Sequence, residues 1–292
     1  MSTSPICSDL SRARDEPLTA TASRVERWLL VEHPGPWGPE SVPSSRMDLH
    51  VARRLAELAA AGAARLVLVR RHRDEEVGEQ GRWVFAVDSR PGSEQVRAVH
   101  VDDDDALLDL APWRDPSGWE VVDEPLYLVC THGRKDRCCA VRGRPVAHAL
   151  SAARPGQVWE SSHLGGDRFA PNLVVLPEGL YVGHVEASEV VAVVEALEAG
   201  TLPDGLVRGR SSLPSPAQAA QHFARAASGR LGRDDLAPVR QEALEDDVWR
   251  VVLDGSPQVD VVVRYVRDGE ARVISCGDPE KVPPSWALVS LR

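Results

Sequence analysis

No stretch of this chain approaches the roughly 18 uninterrupted apolar residues that a membrane-spanning helix requires. The polar, mixed-charge N-terminal segment also lacks the apolar core of a secretory signal. Both absences predict a protein that stays in the cytoplasm and has no membrane partner. Basic side chains are in deficit, 34 Lys and Arg against 44 Asp and Glu, for a formal charge of −10. That balance works against binding a phosphate backbone, so nucleic acid is not an expected partner. Five cysteines in 292 residues do not make the disulfide framework of a small secreted domain. Three of them nevertheless fall in one short stretch, from Cys130 to Cys139, which in a reducing compartment points to metal or redox chemistry. A hydrophobic content of 43% over this length supplies a core without covalent staples.

The chain reads as two similar halves followed by a separate tail. Residues 1–23 form a polar arm. Trp28-Leu-Leu-Val-Glu32 is a strand that empties into a Pro/Gly loop, and helix-forming residues at helical spacing follow over 47–61. Residues 65–70, 82–88 and 95–101 have strand composition. The second half repeats the order: strand 125–130, polar loop, helix 138–153 with Val141, Val146 and Leu150 for packing, strands 158–162 and 172–176, and a helix over 186–199. The predicted architecture is an α/β fold of two related thioredoxin-like β-α-β-β lobes, 24–122 and 123–200. A linker with one short helix, 201–244, then leads to a small antiparallel β-meander, 245–292, built from 248–253, 259–264 and 271–275.

The chemistry concentrates in the second lobe. Cys130 ends a strand and Cys138 opens the next helix, with seven polar or charged residues between, so both sulfurs can reach one point above the sheet edge. The helix start and the neighbouring Arg134, Lys135 and Arg137 favour a thiolate at Cys138. Cys139 points away from Cys138 on a helix and reads as a small core residue. Farther on, Gly165 and Gly166 form a turn between His163 and Asp167, where a backbone without Cβ atoms can approach a bulky cofactor. Two carboxylates flanking a sugar cleft are not distinguishable, so glycosidase activity has no support. Asp102 to Asp105 is a solvated charge run. Cys7 and Cys276 stand alone in the sequence with no assigned role.

Cys130-x7-Cys138, Trp159-Glu-Ser-Ser-His-Leu-Gly-Gly-Asp-Arg-Phe-Ala-Pro-Asn172, Tyr181-Val-Gly-His-Val185, Trp28-Leu-Leu-Val-Glu32 and Gly35-Pro-Trp-Gly38 together resemble the sucrase/ferredoxin-like family over roughly residues 7–200. The resemblance implies a thioredoxin-like ferredoxin fold. It also implies a 2Fe-2S cluster held in eukaryotic relatives by two cysteines and two histidines of a His-x-Gly-Gly-His turn. Cys130, Cys138 and His163 match that pattern and Asp167 takes the place of the second histidine, so the expected metal ligands are Cys130, Cys138, His163 and Asp167, with Gly165 and Gly166 lining the cofactor. Cys139, His132 and His184 are the alternatives for the fourth position. The expected role is an iron-sulfur electron carrier serving an unidentified redox partner protein. A thioredoxin-like thiol protein and a cofactor-free binding module on the same scaffold are the competing readings.

Overall fold

The computed structural model describes residues 6–72 and 81–292. The first lobe begins with β1 (Arg27–Glu32), whose Trp28-Leu-Leu-Val31 run is buried throughout, as expected for a strand covered on both faces. Helix α2 (Leu49–Ala61) starts where the Asp48 carboxylate accepts the amides of His50 and Val51, and returns the chain to β2 (Ala64–Arg70) parallel to β1. Strands β3 (Arg82–Asp88), β4 (Gln95–Val101) and β5 (Glu120–Val122) then add antiparallel on the far side of β1.

The second lobe follows the same plan. Strand β6 (Leu126–Cys130) and β7 (Val158–Ser161) are parallel and joined through helix α3 (Arg137–Ala153). Beyond β6 follow β8 (Asn172–Leu176), β9 (Leu180–Gly183) and β10 (Val207–Arg210), each antiparallel to the strand before it in the sheet, with helix α4 (Val190–Glu198) between the last two. The lobes share one ten-stranded sheet of order β10-β9-β8-β6-β7-β2-β1-β3-β4-β5. Read outward from β7 and from β2, the two halves have the same strand order and directions. They meet where β2 and β7 pair antiparallel, at Val69 with Ser161 and Arg70 with Glu160. Glu160 is buried there, and the hydrogen bonds it accepts from Arg70 (2.7 Å) and Thr131 (2.8 Å) offset the desolvation that would raise its pKa, leaving it below the usual carboxylate range. One core runs beneath both lobes, from Trp28 and Phe85 to Trp159, Leu164 and Tyr181.

Several sequence expectations change here. The N-terminal arm carries helix α1 (Cys7–Ala13) with Cys7, Ser8 and Ser11 buried. Its few apolar residues gave no helical period, and tertiary contacts hold it. The linker expected at 201–244 contains β10, which completes the large sheet, and the greater part of β11 (Pro238–Glu245). Between them runs α5 (Ser215–Ser228), whose Ala-rich face packs on the second sheet. That sheet has order β11-β12-β13-β14, with β12 (Val248–Leu253) and β13 (Val259–Val266) near their expected positions. Its last strand is β14 (Ser285–Leu291), whereas 271–275, expected as a strand, is no strand and packs against α1 and α3. Alternation alone could not separate these two apolar stretches. No helix among the described residues is long and apolar enough to cross a membrane.

Candidate metal centre

Two neighbouring cysteines at the start of α3 face different ways. The helix begins at Arg137 and is capped by Asp136, whose Oδ1 accepts the Cys138 amide at 2.7 Å. Cys139 therefore shares a helical stripe with Gly143, Val146 and Leu150, the stripe that lies against the sheet. Gly143 is required for that approach, because a Cβ there would stand 2.1 Å from the Cys130 carbonyl oxygen. The Cys139 sulfur thus arrives at the end of β6 beside Cys130. Donor atoms of Cys130, Cys139 and His163 lie within 4.8 Å of one another, and both cysteines are fully buried.

Asp167 completes the group. Its Oδ1 lies 3.4 Å from the Cys139 sulfur and 3.2 Å from His163 Nδ1, and its Oδ2 accepts the Ser275 hydroxyl at 2.9 Å. The His163–Asp167 approach is close in distance but poorly aligned, so the buried Nδ1 makes no hydrogen bond. His132 is fixed differently: its Nδ1 accepts the His163 amide at 3.2 Å, which leaves Nε2 to donate to the Gly38 carbonyl at 2.8 Å. Both of its nitrogens are occupied, so it orients the His163 backbone and is not a free ligand. His184 packs edge-on against Phe169, with Nε2 3.5 Å from the Ser11 hydroxyl, away from the sulfurs.

Of the expected set, the structure brings Cys130, His163 and Asp167 together and places Cys138 elsewhere. The Cys138 sulfur turns toward α1, 3.2 Å from Cys7 and 3.2 Å from Cys276. Its acidity comes from that side too: the hydrogen bond from Cys7 lowers its pKa to about 7, where the basic loop residues had been expected to act. Val141, expected to pack, is exposed. A Cβ on Gly166 would collide with the Arg208 guanidinium at 2.3 Å, and one on Gly165 would meet the Ser23 hydroxyl at 2.8 Å. Both glycines have positive φ and shape the turn around these side chains.

Arg208 itself escaped sequence reasoning. Although 1% exposed, it donates to the Gly165 carbonyl (2.9 Å), to Asn172 Oδ1 (2.7 Å) and to Thr21, and its guanidinium lies 5.1 Å from the ring centres of Phe169 and Tyr181. Burial lowers its pKa to about 10, still cationic at neutral pH. Electrostatically the pocket favours a thiolate at Cys130, held well below the ordinary thiol range by hydrogen bonds from Cys139 and His163. Cys139 is pushed up by that same bond and by burial. Burial alone would lower the pKa of His163, but the hydrogen bond to Cys130 and the charge of Asp167 outweigh it and raise it. Asp167 is raised by burial.

The sucrase/ferredoxin-like family profile matches residues 18–209, about two thirds of the chain, and spans both lobes. The chain belongs to this family. Within the curated proteins, this sucrase/ferredoxin-like chain is 24% identical over 109 residues to altered inheritance of mitochondria protein 32 of Candida glabrata, covering 32% of the chain and 35% of that protein. It thus spans about a third of the length of that relative. Among solved structures, the thioredoxin-like 2Fe-2S ferredoxin of Aquifex aeolicus matches 32% of the chain and 97% of its own length, at 22% identity and a TM-score of 0.27. A cysteine-to-serine variant of that ferredoxin matches 29% of the chain and 97% of its own length, at 23% identity and a TM-score of 0.25. The sucrase/ferredoxin-like assignment agrees with the motifs that carried the resemblance in sequence.

The donor set suits an iron-sulfur cluster: two buried thiols, one of them favouring the thiolate, an imidazole whose buried Nδ1 lacks a hydrogen bond, and a carboxylate close to Cys139 and to that imidazole.

Proposed function

We propose that Cys130, Cys139 and His163, with Asp167 as the fourth ligand, hold a 2Fe-2S cluster and that the protein carries electrons to or from a redox partner protein. The observation that carries this reading is the convergence of two buried thiols and a buried imidazole within 4.8 Å, in a chain of the sucrase/ferredoxin-like family. When bound, the cluster would supply one-electron transfer. The chain's own residues prepare the place. His132 fixes the His163 backbone, and Gly143 lets α3 bring Cys139 against β6. Arg208 sets a buried positive charge beside a donor set that becomes anionic on deprotonation. An imidazole in place of a thiolate makes the ligand set less negative, which favours a higher potential than four cysteines would give.

Anaerobically purified protein tests the reading through its visible spectrum with iron and acid-labile sulfide counts. Two irons and two sulfides per chain are expected. Protein that takes up neither after reconstitution with iron and sulfide would dispose of it.

A further inference from the structure

Beyond this centre the molecule contains a second group of thiols. Cys7 on α1, Cys138 on α3 and Cys276 in the segment before β14 lie in a triangle of sulfurs, at 3.2, 3.2 and 3.7 Å, with Asp136 Oδ2 3.9 Å from the Cys7 sulfur. These residues are far apart in sequence, with Cys7 and Cys276 separated by 269 positions. We propose that Cys7, Cys138 and Cys276, with Asp136 as the fourth ligand, form a site for a single thiolate-preferring divalent cation, zinc being the type case.

The geometry supports a mononuclear ion. Four ligands placed tetrahedrally with a zinc–sulfur distance of about 2.3 Å have sulfurs about 3.7 Å apart, close to the observed triangle. A disulfide would use two sulfurs and strand the third, whereas Cys138 is equally close to both of its neighbours. The surroundings suit bound thiolates. The Cys7 amide points at the Cys276 sulfur at 3.4 Å. Asp136 accepts the amides of Cys138 and Cys276 at 2.7 and 2.6 Å, which aims the carboxylate while leaving lone pairs free for a cation. Such an ion would fasten α1 and the 271–281 segment to the start of α3. Ser275, next to Cys276, hydrogen-bonds to Asp167, so the fastened segment also covers the first centre.

Native mass spectrometry and elemental analysis of the full chain test the proposal, with zinc and iron counted separately. One zinc per chain is expected. Cys7→Ser and Cys276→Ser should each lower zinc at least tenfold while leaving iron and sulfide unchanged. Cobalt added to the zinc-depleted wild-type protein offers a readout free of mutation, and should give sulfur-to-cobalt charge transfer with the intense visible bands of a tetrahedral ion. The proposal fails if the wild type is zinc-free with a mass lower by two hydrogens, as for a disulfide, or if cobalt gives no thiolate spectrum. It also fails if the variants lose iron instead of zinc, or if zinc leaves only with Cys139→Ser. Failure of the iron-sulfur reading would appear in the iron and sulfide counts alone.

Discussion

Adjacent thiols rarely allow so sharp a comparison as Cys138 and Cys139, which point into separate groups. Cys139→Ser should abolish iron and sulfide binding, whereas Cys138→Ser should retain both and lose zinc. Equal iron loss in the two variants would show that the groups are not separate. Asp167 permits a second comparison, because its carboxylate approaches both Cys139 and His163. Asp167→Ala should lose most of the iron. Asp167→His should restore it with a raised potential, since a neutral imidazole replaces a charged group. Unchanged iron in Asp167→Ala would remove the carboxylate from the ligand set. The grouping, though not the ligation, was partly readable in sequence: motif and turn chemistry put Cys130, His163 and Asp167 near one another, as they are in the fold. The choice between Cys138 and Cys139 turned on a single residue of helix phase. Cys139 falls four, seven and eleven positions before Gly143, Val146 and Leu150, and that spacing was the available signal. Nothing local could pair Cys7 with Cys276, because only tertiary folding brings such distant positions together.

Helix α3 controls the centre through its distance from β6. In Gly143→Ala the new Cβ would meet the Cys130 backbone, which cannot rotate away as a side chain can. The helix would have to lift, at a cost of about 1–3 kcal/mol, and Cys139 would lift with it. Reduced iron content together with a lower urea midpoint is the expected result. Val141→Ala, on the exposed side of the same helix, should stay within about 0.5 kcal/mol of wild type. An unaltered iron content in Gly143→Ala would mean that the close approach is not needed. Elements with strong periodicity, such as α2, β3, β8 and β12, were legible in sequence. Helix α1 and strands β10 and β14 were not, since each is short or weakly patterned and owes its place to what it packs against.

Across the molecule, buried histidines tie stability to pH. Burial is the main cause that lowers the pKa of His33, His132 and His184, and His184 reaches about 4. The unfolded chain therefore binds more protons below about pH 6.5, and stability falls as the pH falls. For His184 alone the loss between about pH 7 and pH 5 is on the order of 2 kcal/mol. His163, raised in the fold, opposes this: its contribution is present below about pH 6.5 and fades as the pH rises through its folded value. Urea unfolding at both pH values should show the net acid loss, and His184→Gln should make it smaller. An identical pH dependence in that variant would exclude His184 as a contributor. The seam between β2 and β7 has its own consequence. Two like lobes joined edge to edge in antiparallel fashion are related by an approximate two-fold axis, the symmetry of a dimer carried within one polypeptide. Where Cys130 closes β6, the equivalent end of β1 carries Glu32, so the thiols occur on one side of the axis only. A pair of identical subunits arranged this way would hold two such thiol groups facing opposite edges of the sheet, whereas this chain has one, so its two like halves are chemically unlike.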